Sequence, residues 1–437
     1  MPAALMVVGL GNGDEGKGAV VDHLVRRHGI RRVVRFNGGA QALHHVVCEG
    51  EVHGFSQFGA GTFAGAETLL SRFMLFEPLA FCREAHALAT LGIPDPFSLV
   101  TVSASAPVIT PLNVLTNRIL ELHRGEARHG SCGMGIGLTQ GDTEALGDGA
   151  LRAGDLPHPA LLREKLAVIR KRRLADVAAV EGAETRDLIQ RLTELDLEEL
   201  ALFYGEFAEH FRIASEEQVW ETISRHDLVF EGAQGVLLDQ RLGFFPHVTR
   251  SNTTFENAET LLREAGCEGQ GLRIGLLRGY ATRHGAGPLP TETAELNPSP
   301  CDNGPNAWQG AFRTGWFDAV STRYALEVTG GVDLLCLTNL DRLAGREGLK
   351  AAVSYHPDEY YRSRTIPCVA PEEELLRQRT AALMHACPEY VRLPSIRNHN
   401  PEELFRYTDA ISELLHHKVG LISARPDHHK LYQEDFV

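Results

Sequence analysis

The string Gly11-Asn12-Gly13-Asp14-Glu15-Gly16-Lys17-Gly18 sets two carboxylates beside an ammonium inside a glycine-rich turn. It follows the apolar run Ala4–Gly9 and precedes the helix-like stretch Ala19–Arg27. A strand, such a turn and a helix start together form a phosphate cradle. Glycines let backbone N–H groups approach the anion, the helix dipole favours negative charge, and a lysine reaches the outer phosphates. The order satisfies G-x-x-x-x-G-K, yet Gly18 stands where a P-loop needs Ser or Thr to hold magnesium. Asp14 can supply that missing oxygen and can also act as a base. Taken alone, the turn also fits a plain tight connection.

Further chemistry-bearing strings follow. Arg35-Phe36-Asn37-Gly38-Gly39-Ala40-Gln41-Ala42-Leu43-His44-His45 carries a histidine just after a Gly-Gly turn, although His44 is one of twenty histidines. Phe230-Glu231-Gly232-Ala233-Gln234-Gly235 puts Gln234 in a glycine-bounded turn after a strand, where substrate contacts of α/β sheets gather. Leu337-Thr338-Asn339-Leu340-Asp341 follows a buried strand with a carboxylate, for which a helix N-cap is one reading.

The elements that must position these groups read as alternating strand and helix. Val33–Phe36, Leu99–Val102, Leu228–Glu231, Leu272–Leu277, Leu334–Thr338 and Val419–Ser423 look like buried parallel strands. The fold class is therefore α/β: a large, mostly parallel central sheet with helices on both faces and a P-loop-like cradle. Between about 155 and 225 the chain turns charged and Ala/Leu-rich, with helical spacing in Ala160–Arg173 and Thr185–His210. That stretch reads as a helical insertion packed on one side of the sheet, within a single domain spanning 1–437. The run Arg170–Arg173 reads as a solvated helix face, and Gly285–Pro300 as a rigid loop.

Composition narrows the classes. A net charge of −14 disfavours nucleic acid or an acidic membrane as partner. No stretch approaches ~18 uninterrupted apolar residues, which leaves no candidate membrane span. The eight cysteines are scattered without a C-x-x-C pair and fit reduced thiols in a cytoplasmic protein.

Together with Thr282-Arg283-His284-Gly285-Ala286-Gly287-Pro288-Leu289-Pro290-Thr291-Glu292, Ser251-Asn252-Thr253-Thr254 and Arg313-Thr314-Gly315-Trp316-Phe317-Asp318, these strings resemble the adenylosuccinate synthetase family from near residue 5 to near 430. The resemblance implies a GTP- and Mg2+-dependent ligase acting on small molecules, and a homodimer. In that family the γ-phosphate of GTP moves to O6 of inosine monophosphate, and the amino group of aspartate then displaces it. It implies that Asp14 removes the N1 proton and neighbours magnesium, and that the Leu43 carbonyl also faces the metal. His44 would donate to phosphoryl oxygens, Lys17 would hold the β/γ-phosphates, and Gln234 would orient the base. Gly13, Glu15, Gly16, Gly18, Thr338, Asn339, Asp341 and Ser423 fall at the nucleotide. Gln41, Ser131, Cys132, Thr249, Arg250, His284 and Arg313 fall at the acceptor and amine.

Several positions depart from the family pattern. Gln41 replaces an asparagine, Cys132 a phosphate-binding threonine, Met134 an arginine, and Arg250 a serine. Gly149 stands where the family sends an arginine into the neighbouring subunit. Trp308-Gln309-Gly310-Ala311-Phe312-Arg313 replaces a Thr-Gly-Arg-x-Arg-Arg run that holds the amino acid's carboxylates, and Arg425 replaces a glycine near guanine. Lost charge-assisted contacts to a phosphate are each worth roughly 1.5–3 kcal/mol. Three readings follow: a divergent adenylosuccinate synthetase, a paralogue with another acceptor or amine, and a nucleotide-binding protein without turnover. A generic P-loop GTPase would need Ser or Thr after Lys17 and an N-K-x-D string, and neither is present in the usual form.

Overall fold

Every residue of Ala4–Gly9 is buried. A strand with no polar position must be covered on both faces, and here it lies at the centre of a ten-stranded sheet. The computed structural model describes residues 3–125, 130–296, 308, 310–356, 364–397, 400–427, 429 and 431–432. In spatial order the sheet runs 431–432, 419–422, 334–338, 271–278, 4–9, 228–231, 32–35, 67–70, 100–103 and 212–214. All neighbours are parallel except the pair formed by 431–432 with 419–422.

Strand alternation divides the interior into two cores. Ala4, Met6 and Val8 face helices Glu256–Glu264, Ala319–Val328 and Pro401–Leu415. Leu5 and Val7 face helices Lys17–His28, Pro78–Thr90 and Pro111–Arg124. The register sets Val7 beside Glu231 and Glu231 beside Arg35, so two charges share one face at the strand ends.

The expected α/β sheet is present, and Ala4–Gly9, Leu228–Glu231 and Leu334–Thr338 match residue for residue. The 155–225 region differs from expectation in four ways. Arg173, in the run read as a solvated face, is buried and paired with Asp142 and Asp176. The region contains the edge strand Arg212–Ala214, which pairs with Val100–Ser103. The stretch 185–210 is broken, because Asp196 accepts hydrogen bonds from the Glu198 and Glu199 amides and starts a second helix, Leu197–Phe207. Helix Glu216–Arg225 sends Val219 and Ile223 into the core of the opposite face, so the helices do not all lie on one side. Of the loop 285–300, residues 285–296 include a bridge from Glu292 to Gly315 and the short turn Ala294–Leu296. The remainder lies outside the described residues, as does Gln309. Among the described residues no helix is long and apolar enough to cross a membrane.

Three smaller units lie outside that sheet: the hairpin His44–Cys48/Glu51–Phe55, the hairpin Ala281–His284/Phe312–Gly315, and a three-stranded sheet of Phe317–Asp318, Lys350–His356 and Cys387–Arg392.

Candidate functional site

Parallel strands bring their carboxyl ends to one edge, and the chemistry-bearing strings all begin there. Residues 10–16 follow strand 4–9, Gly232–Gln234 follow 228–231, Phe36–Gly39 follow 32–35, Asn339–Asp341 follow 334–338, and Ser423 follows 419–422. Neighbouring strands therefore converge the loops without any long-range coincidence.

The phosphate-type loop is built around an ion pair. Glu15 folds beneath it, its Oε1 accepting from Gly13 N at 2.7 Å and its Oε2 from Lys17 Nζ at 2.7 Å. Lys17 Nζ also donates to the Gln234 carbonyl at 2.6 Å, and both charged side chains are 3% exposed. A Cβ on Gly9 would collide with the Glu15 carboxylate, and one on Gly235 with the Gly11 carbonyl. From outside, Thr338 Oγ1 donates to Glu15 O (2.9 Å), Arg278 Nη1 to Asp14 O (3.0 Å) and Arg283 Nη1 to Asn12 Oδ1 (2.6 Å). Gly16, left-handed at φ 75°, opens helix Lys17–His28 with no side-chain cap, so its first N–H groups are not claimed by a capping side chain.

Asp14 is itself left-handed, at φ 62°. Its Oδ2 lies 3.3 Å from His284 Nε2. Burial alone would raise the Asp14 carboxyl, but the His284 contact and the Arg278 and Lys17 charges hold it down at about 2. It is therefore ionised at neutral pH.

His44 enters on the hairpin that crosses the start of the same helix. A Cβ at Gly18 would stand 2.5 Å from His45 O and 2.8 Å from His44 C. That crossing, rather than phosphate contact, explains why no Ser or Thr occupies position 18. His44 Nδ1 meets Glu231 Oε1 at 2.5 Å, and Ala60 N donates to Glu231 Oε2 at 2.9 Å. Burial would raise the Glu231 carboxyl, but Arg35 and His44 outweigh it and hold it below its ordinary value. Burial pushes the His44 imidazole down to about 4 despite Glu231. His44 Nε2 is buried without a protein partner. Asp14 lies in the loop that leads into Lys17, and the His44 backbone crosses Gly18 just after it, so both segments meet at the start of the same helix.

Gln234 occupies the left-handed region at φ 57°, and its Oε1 is likewise buried without a partner. Asn37 locks this turn: its Oδ1 accepts from Ala233 N at 2.7 Å, and its Nδ2 donates to Ala233 O and Asn252 O at 3.0 and 2.9 Å.

The other candidates fall into two groups. Around Gly39, Gln41 Oε1 is buried and unpartnered, while Cys132 and Met134 pack on Leu75, Ile109 and Ile136. Burial pushes the Cys132 thiol up to about 11. Ser131 Oγ donates to Asn117 Oδ1 at 2.9 Å. Thr249 N donates to Leu238 O at 2.8 Å, and half-exposed Arg250 pairs with Glu144 and donates to Gly137 O. Over the loop, the His284 ring lies 4.8 Å from that of Phe312. Arg313 donates to Glu292 Oε1 (2.9 Å), Gly285 O (3.0 Å) and Gly287 O (2.8 Å). Trp308 lies under the Arg118 guanidinium at 5.4 Å. After strand Leu334–Thr338, Asn339, at φ 56°, occupies the N-cap position, and Asp341 lies inside the 3-10 turn, 3.4 Å from Arg342 Nε. Ser423 Oγ donates to Arg425 O at 3.3 Å. Leu43 is 58% exposed.

Among the described residues no three His, Cys, Asp or Glu side chains cluster as a metal cage. Magnesium is commonly held by one or two carboxylates together with substrate phosphates and water, and Asp14 beside the cradle fits that donor set. Glu231, Arg35, Asn37, Arg278 and Arg283 went unassigned in the sequence. The available signal was a charged residue closing an apolar strand, as in Leu228–Glu231 and Arg32–Arg35.

The family model described as adenylosuccinate synthetase matches residues 6–432. The adenylosuccinate synthetase of Trichormus variabilis is 33% identical over 374 residues, covering 82% of this chain and 78% of that protein. That of Parafrankia sp. is 33% identical over 406 residues, covering 90% and 88%. In fold, the chain is similar to fully ligated adenylosuccinate synthetase from Plasmodium falciparum, with a TM-score of 0.80, 20% identity, and 99% and 100% coverage. It is also similar to the cyanophage S-2L succinoaminodeoxyadenylate synthetase PurZ, solved with dGMP and with dATP as an energy donor, at a TM-score of 0.61, 14% identity, and 100% and 96% coverage.

Three outcomes are expected. Glu15→Gln leaves the Lys17 ammonium buried without its counter-ion and should destabilise the fold by about 3–5 kcal/mol in urea unfolding; a loss below ~1 kcal/mol would refute that pairing's role. Gly18→Ala should displace the hairpin and lower turnover at least ~100-fold, since misplacement by an ångström costs about that much; unchanged turnover would refute the steric reading. His44 has a folded value (about 4) below its ordinary 6.5, so the unfolded chain binds more protons between them. Its contribution is complete above pH 6.5 and is lost as pH falls toward 4, on the order of 3 kcal/mol. His44→Asn should flatten the stability–pH curve in that window; Asp14 titrates below it.

Proposed function

The chain belongs to the adenylosuccinate synthetase family, and we propose that it joins the amino group of aspartate to inosine monophosphate at the expense of GTP. As a family member it is a ligase that forms a C–N bond. The observation that carries the residue-level reading is the meeting of the Asp14 loop and the His44 backbone at one uncapped helix start, with His44 Nε2 left unpaired.

In the first step O6 of the purine must become a nucleophile. Asp14, ionised and held in place by its left-handed backbone, takes the N1 proton, and the electron pair moves to O6. O6 attacks the γ-phosphorus and the bond to the β-bridging oxygen breaks, releasing GDP. His44 meets the travelling phosphoryl group through Nε2, the ring nitrogen that the protein leaves unpaired. Gln234 aligns the base through its amide. In the second step the amine attacks C6, loses a proton, and expels phosphate. Mg2+, when bound through Asp14 and the Leu43 carbonyl, would neutralise phosphate charge. In this reading Asp341 and Ser423 would read the guanine. A homodimer and a cytoplasmic location belong to the same reading.

Specific contacts favour a second reading of substrate choice within this chemistry. Arg313 is engaged by Glu292 and two carbonyls, Arg250 by Glu144, and Cys132 and Met134 are in an apolar cluster. From 284 to 312 the chain has no lysine or arginine. A phosphate and a dicarboxylate thus meet few uncommitted cations on this side, which favours an acceptor or amine of lower charge.

The test supplies the protein with GTP, Mg2+, inosine monophosphate and aspartate and follows succinyl-purine absorbance beside an active family enzyme. Product formation is expected. Its absence, with phosphate released when other purines and amines are offered, would replace the first reading with the second. Asp14→Ala should lower turnover by at least about 100-fold while GTP binding stays within a few-fold; unchanged turnover would remove Asp14 from the mechanism.

A further inference from the structure

We propose that Glu231 is a positioning residue for this reaction: its contact with His44 selects the imidazole tautomer that keeps a proton on Nδ1, so that Nε2 alone serves the ligand. The inference rests on the role given to His44 above.

Glu231 closes a strand whose other residues are apolar, and the residue is 0% exposed. A carboxylate is seldom buried so deeply for stability alone, since apolar replacements of buried charges are often neutral or stabilising. Each of its oxygens has a defined partner, Oε1 facing His44 Nδ1 at 2.5 Å and Oε2 accepting from Ala60 N at 2.9 Å. The adjacent Arg35, in register one strand away, supplies the balancing charge. Arg35 is itself fixed, because its Nη1 donates to Ser56 O at 3.0 Å and to Phe58 O at 3.2 Å.

An ionised carboxylate only accepts hydrogen bonds. A 2.5 Å contact with it therefore requires the proton on Nδ1. The ring is then oriented from one side only, because Nε2 has no partner in the protein. On the other side, the His44 backbone crosses Gly18 in the first turn of the cradle helix. Ring and main chain are thus held independently, one by the strand end and the other by the helix. In the neutral ring Nε2 carries only a lone pair; the charge of bound phosphates, with Glu231 behind the ring, favours the imidazolium, whose second proton sits on Nε2 and donates to a phosphoryl oxygen while Nδ1 keeps its own. Oε2 is satisfied by Ala60 and Oε1 by His44, so the buried carboxylate and the imidazole each depend on the other for orientation.

The test pairs a tautomer readout with kinetics. In protein labelled with 15N-histidine, the His44 ring signals are assigned by their loss in His44→Asn, and long-range 1H–15N spectra report which nitrogen carries the proton. The wild-type protein is expected to show Nδ1–H. Glu231→Gln can present its amide N–H to Nδ1, which moves the proton to Nε2, and it removes the carboxylate charge that would hold the imidazolium at the phosphoryl group. With GTP, Mg2+, inosine monophosphate and aspartate, kcat should then fall at least about 100-fold, as expected when a residue orienting a catalytic imidazole is replaced by its amide. KM for GTP should change less than about threefold, because cradle contacts remain. Glu231→Asp, which retains the charge, should restore the Nδ1–H pattern and part of kcat. An Nε2–H pattern at His44 in the wild-type protein overturns the proposal whether or not the Glu231 variants fold, as does a Glu231→Gln enzyme with unchanged kcat. Wild-type protein with Nδ1–H but no succinyl-purine supports the tautomer assignment and overturns the reaction on which its purpose rests.

Discussion

The buried pair of Glu15 and Lys17 is the interaction on which the rest of the site depends. Two opposite charges taken out of water are tolerated only when geometry is good and the remaining donors are satisfied. Here Gly13 N and the Gln234 carbonyl complete the set. The pair thereby ties the loop after the central strand to the turn after its neighbour. It also dictates small residues around it, since side chains at Gly9 and Gly235 would occupy the same space as Glu15 or the Gly11 carbonyl. The glycine-rich character of the string thus follows from what lies beneath the loop as much as from any anion above it.

A second layer of charge stands one strand further out. Arg35 and Glu231 sit in register on the face that also receives helix Lys17–His28 and the His44 hairpin. Parallel topology makes this economical: side chains at the carboxyl ends of adjacent strands meet at fixed spacing, and loops that follow them inherit that placement. Asp14 and His44 belong to different supersecondary units, yet both are positioned by the same few strand ends. Fold and chemistry share one frame.

Much of that frame was legible in the amino-acid sequence, because buried parallel strands write themselves as uninterrupted apolar runs. Leu228–Glu231 and Leu334–Thr338 show this directly. The cradle was legible for the same reason, being a glycine-rich interruption between two periodic segments. What escaped was pairing across long separations. Glu231 and His44 lie 187 positions apart, and Arg250 and Glu144 lie 106 apart, and no local pattern announces either contact. The edge strand Arg212–Ala214 escaped because three residues are too few to show a period. Helix Glu216–Arg225 escaped to the opposite face because amphipathic spacing says that a helix has a buried side but not which layer buries it. Gly18 was legible as an oddity in a phosphate-loop pattern, while its cause, a neighbouring chain crossing at van der Waals range, exists only in three dimensions.

That crossing has a consequence for how the molecule can change over time. With no side chain between them, the first turn of the helix and the peptide of His44 form one mechanical body, so a push delivered at either is transmitted to the other undamped. Substitutions that retune the histidine must therefore enter from elsewhere: along Glu231, Arg35 or the far end of the hairpin. Position 18 itself admits no side chain unless the hairpin moves, whatever substrate the rest of the cleft comes to accept.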